Sequence, residues 1–392
     1  MKLLPALGLP LCLLLPTFLG CDDDTSRRPM ADASTAQGGG DAPLADAAVA
    51  APLDLGPGYN ATVTVDPAGN GYISWIGAEP LTSSLHFCML PRGSAACLVR
   101  TTITTEGTSL SRPFVVVSGA TVKILSYRYG LLTPDFAAVF LFTSIDGGKT
   151  FGPGRKVGSI PFSAAVPGPN DSVSLTTHAY TKGLAYQQVR LDETPAPALI
   201  PEAILSSTHL YNGAVALDQG VTPVVVFATG DGAAQVRKYI GQGDLNAQTS
   251  WTPALDIGPG DRMHLVSGSS GVFMLSQVGS ALQVRRFDGS TFGPGVQLPE
   301  GSGELAHAHM VYDLGGQLHV VWPRFDVQGV RLNYAVSDQG TTWSQRIAVR
   351  DEGFGGVRAA VAADHKGFAV WETSASSPMA HVHVLHLEPA RL

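Results

Sequence analysis

From residue 58 onward the chain consists of short runs of β-branched and aromatic residues, cut at intervals by Gly, Pro, Asp and Asn. No stretch there places its apolar residues at the three- and four-residue spacing of a helix, so the folded part is all-β. The runs also repeat. Ala61-Thr-Val-Thr-Val-Asp66 leads through a Gly-rich turn to Gly71-Tyr-Ile-Ser-Trp75, and His309-Met-Val-Tyr-Asp313 leads to Gln317-Leu-His-Val-Val-Trp322. Gly213-Ala-Val-Ala-Leu-Asp218 leads in the same way to Pro223-Val-Val-Val-Phe227, and in all three the aromatic lies nine positions after the Asp. A final copy, Ala359 to Asp364 and then Gly367 to Trp371, reads as the same unit with a turn two residues shorter.

Weaker copies begin near Pro113, Ser172 and Arg262, giving seven units that start near 60, 113, 172, 211, 262, 306 and 357. A mean spacing of about 50 residues is the length of a four-stranded β-propeller blade. A closed ring also removes the exposed sheet edges that a long open array would leave. The last unit has room for only three strands, whereas Pro52-Leu-Asp-Leu-Gly-Pro-Gly58 precedes the first unit without a blade of its own. Its nearest internal match is Ala254-Leu-Asp-Ile-Gly-Pro-Gly260, where the fourth unit needs its outer strand. The expectation is therefore seven blades, with residues 52–55 completing the last one. Six blades result instead if the short third unit merges with its neighbour.

Two units carry a sharper signature after their third strand, Ser144-Ile-Asp-Gly-Gly-Lys-Thr-Phe151 and Val336-Ser-Asp-Gln-Gly-Thr-Thr-Trp343. Both resemble the Asp-box of sialidase-like (BNR-repeat) propellers. In them Asp146 and Asp338 suit a turn acceptor, Gly148 and Gly340 a positive φ, and Phe151 and Trp343 an apolar plug beside Thr150 and Thr342. A shortened relic, Asp288-Gly-Ser-Thr-Phe292, lies one unit before the second box. The resemblance implies that these boxes are structural turns, remote from a central site. It also implies what an active sialidase needs: an arginine cluster for a carboxylate, a Tyr/Glu pair and an acidic proton donor. The early Arg-Ile-Pro motif of that family does not occur in this chain, and no catalytic residue is carried over.

The N-terminus reads as a processing signal. Lys2 precedes the apolar stretch Leu3 to Leu15, which is too short to span a bilayer, and Gly20-Cys21 resembles a bacterial lipobox with Phe18 in place of its usual Leu. Residues 1–20 are thus expected to be a lipoprotein signal peptide, with Cys21 the lipidated residue and ordinary secretory cleavage as the alternative. Residues 21–51, rich in Ala, Asp and Gly, have little to bury and read as a flexible tether. The propeller spans 52–392. With Cys12 in the signal and Cys21 acylated, Cys88 and Cys97 remain, nine apart around Pro91-Arg92-Gly93. In an exported chain this suggests a disulfide across a hairpin, with a pair of buried thiols as the alternative.

The formal net charge of −7, without Lys/Arg runs, argues against nucleic acid and against a polybasic membrane patch. His307 and His309 share a strand face, as do His381 and His383, but neither pair has a third ligand at diagnostic spacing, so no metal is assigned. No phosphate loop, zinc-protease helix or nucleophile elbow occurs, and no cofactor is expected. The loop-like insertions are Ser159–Asp171, Leu191–Pro201 and Gly130–Asp135, the kind of segment that carries binding residues. The reading is a non-catalytic cell-envelope lipoprotein, outer-membrane or surface rather than inner-membrane, that binds glycan or protein through the propeller face. The alternatives are a glycoside hydrolase with diverged motifs and a scaffold part of an envelope assembly.

Overall fold

Each repeat folds as an antiparallel meander of four strands, because each apolar run is long enough for one strand and each Gly/Asp cluster for one turn. The computed structural model describes residues 51–392 apart from 79–82, 106–108, 130–137, 159–161, 180–182, 193–202, 207–212, 230–231, 246, 261, 303–307, 314, 327–328, 352–355, 374–379 and 388–392. The first blade holds β2 (Tyr59–Val65), β3 (Gly71–Ile76), β4 (Ser83–Leu90) and β5 (Val99–Thr105). The second holds β6 (Ser109–Ser118), β7 (Thr121–Tyr129), β8 (Ala138–Ser144) and β9 (Arg155–Gly158), and the third β10 (Phe162–Gly168), β11 (Ser172–Ala179), β12 (Gly183–Arg190) and β13 (Ala203–Ser206). The fourth holds β14 (Gly213–Asp218), β15 (Thr222–Ala228), β16 (Ala233–Lys238) and β17 (Leu255–Pro259). The fifth holds β18 (Met263–Gly268), β19 (Gly271–Val278), β20 (Ala281–Arg286) and β21 (Val296–Ser302). The sixth holds β22 (His309–Tyr312), β23 (Leu318–Asp326), β24 (Gly329–Ser337) and β25 (Ser344–Asp351). The seventh combines β26 (Arg358–Val361), β27 (Gly367–Glu372) and β28 (His381–Leu387) with β1 (Leu53–Pro57) as its outer strand.

The ring is therefore a seven-bladed β-propeller, and the six-bladed alternative does not occur. Its apolar core is divided among seven clusters, each made by two neighbouring blades. Trp371 of the seventh blade packs with Tyr334 of the sixth, and Phe368 and Val384 of the seventh pack with Ile73 and Trp75 of the first. The five remaining junctions are filled in the same way. First strands of adjacent blades pack on one another, β14 on β10 and β18, β22 on β18 and β26, and so form the inner wall.

Closure takes the expected form, two residues further along. β1 runs antiparallel to β28, with Leu53 opposite Val384 and Pro57 opposite His381, and Leu55 is 2% exposed in the junction cluster. The internal sequence match is also a structural one. Asp54 accepts the Gly56 N–H at 2.7 Å, and Asp256 accepts the Gly258 N–H at 2.7 Å. The carbonyl between each pair is capped by an arginine from the following blade: Arg100 Nη2 donates to Leu55 O and Arg285 Nη1 to Ile257 O, both at 2.6 Å. Arg237, equivalent in position to Arg285, bridges Leu205 O and Thr252 O in the same manner.

Two sequence expectations need correction. Ser172 does not open the third unit: the first strand is β10, inside the segment read as the insertion Ser159–Asp171. With this strand in place the blades start 46 to 53 residues apart and none is short. The final unit also has no shortened turn. Ala362, not Asp364, takes the place of Asp66 and Asp313, since the Ala362 N–H donates to Lys366 O as the Asp66 N–H donates to Asn70 O. Asp364 instead pairs with Arg92 of the first blade.

Cys88 and Cys97 are bonded across the β4–β5 hairpin with Cα atoms 5.6 Å apart. Closing so short a loop stabilises by about 2–3 kcal/mol on the chain-entropy model. Reduction of the folded protein should lower its unfolding free energy by that amount, read as a fall in the urea midpoint. An unchanged midpoint with two titratable thiols would show that the bridge carries no stability.

Candidate functional site

The strands place the first Asp-box in the β8–β9 turn, where its residues bond mainly to one another. Ser144 Oγ donates to Asp146 Oδ1 at 2.7 Å and accepts the Gly148 N–H at 2.8 Å, while Thr150 donates to Asp146 from both its N–H and its hydroxyl. The Thr150 bonds, with Ser144, hold the Asp146 carboxyl far below the usual carboxylate range. Gly148 has φ +90°, and a Cβ there would lie 2.0 Å from the Phe87 ring, so the turn is pressed onto the first blade. Phe151 meets Phe87 edge-on at 5.3 Å.

The second box is built differently. Ser337, one position after the missing serine, accepts the Gly340 N–H at 2.8 Å, and Asp338 accepts Gln317 Nε2–H at 2.7 Å. Trp343 packs in the junction between the fifth and sixth blades. Trp251, which no box motif marks, fills the equivalent place in the junction between the third and fourth. The signal that could have found it is its position between the third and fourth strands of its blade. All of these aromatics pack on the preceding blade, on the face that carries the turns between third and fourth strands. We term this the lower face, and the one where first strands begin the upper face.

At the upper end of the inner wall the first strands of three successive blades bring titratable side chains together. His264 is the second residue of β18, His309 the first of β22 and Arg358 the first of β26, and Glu372 ends β27 beside them. Alternation decides where they face: Leu265 and Met310 point to the preceding junctions, so His264 and His309 point to the following ones. The two imidazoles stand 4.3 Å apart, centroid to centroid, with planes tilted by 54°. His309 Nδ1 accepts the Ala359 N–H at 3.1 Å, and Glu372 Oε1 accepts the Asn60 N–H at 2.9 Å. His264 Nδ1 is buried and has no hydrogen-bond partner.

Electrostatics keep the two imidazoles of this cluster uncharged. Enclosure, reinforced by the Arg358 guanidinium, pushes the His264 imidazole down to about 3. His309 is driven well below its ordinary value by enclosure, by His264 and by Arg358. Burial raises the Glu372 carboxyl, against the opposing pull of the Asn60 N–H and Arg358. Two neutral imidazoles, one carboxyl of raised pKa and one guanidinium thus share a short arc of wall. Such a set suits a ligand rich in hydroxyl or carboxylate groups.

Of the residues that sequence reasoning singled out, His309 lies in this arc and the others do not. His307, the Gly130–Asp135 segment apart from its surroundings, and most of Leu191–Pro201 lie outside the described residues. His381 and His383 do lie together, their rings 6.4 Å apart, but His381 bonds Asp54 and His383 stacks on Trp371. Cys21 and the tether also lie outside the described residues. Among the described residues no helix is long and apolar enough to cross a membrane.

No protein-family model matches the chain, and no curated protein matches it in sequence. Solved structures do share its fold. Puromycin hydrolase (S511A mutant, complexed with PGG) matches with TM-score 0.55 at 13% identity, over 86% of this chain and 55% of that one. YCF48 bound to D1 peptide matches with TM-score 0.51 at 13% identity, over 87% and 96% of the two chains. A protein of unknown function from Dyadobacter fermentans gives 0.51 at 12%, over 86% and 95%. A Trypanosoma rangeli sialidase reaches only 0.41 at 11% identity, too low for the sialidase resemblance to draw on it. At these identities the likeness is one of fold, and the fold is the seven-bladed β-propeller.

Proposed function

We propose that the protein is a lipid-anchored component of the bacterial cell envelope, outer-membrane or surface-exposed, that binds a glycan through the upper face without transforming it. The observation that carries this reading is the arc of His264, His309, Arg358 and Glu372. It contains a buried imidazole nitrogen with no partner inside the protein, and an unsatisfied polar atom of this kind is costly unless something else bonds it. Hydroxyl-rich ligands supply such bonds, whereas a protein partner docking through an apolar patch would not. The YCF48 neighbour, bound to a peptide, keeps a protein ligand as the second form of the same reading, by analogy of fold alone. Lipidation at Cys21 places the ring outside the membrane on its tether.

The test pairs a glycan array with calorimetry on the hits, using the full chain and the Arg358→Ala and Glu372→Gln variants. Binding by the wild type that each variant weakens at least about tenfold supports the reading. Glycan binding unaffected by both variants would overturn this placement. Release of product from fluorogenic glycosides, abolished by Glu372→Gln, would instead favour a hydrolase, because a raised carboxyl is what a proton donor needs. Globomycin-sensitive processing, lost in Cys21→Ser, tests the anchor separately.

A further inference from the structure

On the lower face, between the sixth and seventh blades, three ligand-type side chains converge. Asp313 directly follows the first strand of the sixth blade, His319 lies in β23, and His365 comes from the first turn of the seventh. His319 Nε2 lies 2.7 Å and His365 Nδ1 2.5 Å from the same Asp313 oxygen, Oδ2, and the three ligand atoms all lie within 4.8 Å of one another. Asp313 and His319 are fully enclosed, while the His365 side chain is 34% exposed. We infer that Asp313, His319 and His365 form a zinc site that joins the two blades, with its fourth position open to solvent beside His365.

The turn itself does not require these histidines. In the first blade Asp66 holds the equivalent turn with Asn70 and the Tyr72 hydroxyl alone. Asp313 likewise has its turn bond, from the Gln317 N–H at 2.8 Å. His319 then stands where Tyr72 stands, and His365 is added from a different blade. His365 also occupies a backbone position that resists it. Its φ is +65°, and the corresponding residues of the first and sixth blades are glycines, Gly69 at +82° and Gly316 at +98°. A left-handed conformation is unfavourable for a residue with a Cβ. The preceding blade makes room for the ring: a Cβ on Gly315 would lie 2.4 Å from His365 Cε1.

Two imidazoles and one carboxylate are a zinc donor set, and ligand atoms 2.0–2.2 Å from a common ion lie about 3.3 Å apart. Reaching that spacing asks His365 to move outward, and His319 and Asp313 to part, each by less than about 1 Å. The other nitrogen of His319 is already oriented, since Nδ1 lies 2.6 Å from the Tyr334 hydroxyl. With zinc on Nε2, Nδ1 carries the proton and donates to that oxygen, the outer bond that fixes a metal-bound imidazole. Zinc takes the place of the protons that His319 Nε2 and His365 Nδ1 now share with Asp313, and each neutral ring then carries its proton on the opposite nitrogen, His319 on Nδ1 and His365 on Nε2.

The experiment uses the full, untagged chain, its metal stripped by chelator and then titrated with Zn2+ and, separately, Co2+. The wild type should retain one zinc per chain, show the visible absorption of a four-coordinate Co2+, and melt at a higher temperature with zinc than without. His365→Gly restores the turn used in the first and sixth blades, so it should fold, yet lose the zinc-induced rise and bind at least about a hundredfold more weakly. Tyr334→Phe should weaken binding about tenfold, as loss of an outer bond does. A wild type that binds no more zinc than His365→Gly, or two chains that melt alike with and without zinc, would leave only a hydrogen-bonded cluster and overturn the site.

Discussion

Deleting residues 52–57 is expected to cost about 4–6 kcal/mol of stability, a large part of what a domain usually has. The deletion removes Leu55 from the junction of the seventh and first blades, where it is almost fully buried, and a buried leucine alone is worth about 2–5 kcal/mol. It also leaves β28 as an open edge, with unpaired backbone groups from His381 to Val384. Urea titration followed by intrinsic fluorescence should show the midpoint falling, and size-exclusion chromatography should show association through the bared edge. Leu55→Ala separates the side-chain part from the strand part and should cost about 3 kcal/mol. An unchanged midpoint in the deletion would mean that β1 decorates the seventh blade and does not lock it.

Mild acid should destabilise the protein through His264 and His309. Both are held below their ordinary value in the fold, His264 at about 3, whereas in the unfolded chain a histidine titrates near 6.5. The unfolded state therefore takes up protons first. Stability is full above pH 6.5 and falls as the pH drops from there toward the folded values, by at most about 1.4 kcal/mol per pH unit for each ring. Between pH 6.5 and 5 the two together should remove about 3 kcal/mol. The lowered carboxyls of Asp54 and Asp313 do not act in that window, because their stabilising contribution is lost only below the ordinary carboxylate value. Glu372 has the opposite sign: its raised carboxyl takes a proton in the fold first, which begins to offset the loss nearer pH 5. Unfolding free energies across this range, compared with those of a His264→Leu, His309→Gln chain, give the check. Equal slopes in the two proteins would rule the histidines out.

The fold was legible because each blade repeats both a spacing and a chemistry. Asp66 and Trp75, or Asp313 and Trp322, mark a turn and a buried aromatic at a fixed interval, and the Leu-Asp-Leu-Gly-Pro and Leu-Asp-Ile-Gly-Pro segments mark two outer strands with the same bulge. The third blade was misread because β10, Phe-Ser-Ala-Ala-Val-Pro-Gly, has the composition of a loop. Only Phe162 is fully buried in it, so burial imposed no alternation on its sequence. Asp364 reads as a turn aspartate because it stands just past a strand of the repeat, although its partner is Arg92 of another blade. Of the upper-face cluster the sequence marked only His309, and it paired that residue with His307 of the same blade. His264, His309 and Arg358 are each about one repeat apart, and only the ring makes neighbours of residues at the same place in successive blades. His365 was invisible for the same reason, being 52 positions from Asp313.

Seven apolar clusters, each shared by two blades and by no third, make the described residues a loop of joints of one kind. In a linear stack the end units peel away by breaking one joint, and fraying starts there. Here every blade is an interior blade. To release any one of them two joints must fail together, and the first failure only turns the circle into an arc that keeps six. Loosening of a single junction is thereby shared by the whole circumference, and the protein should melt as one body.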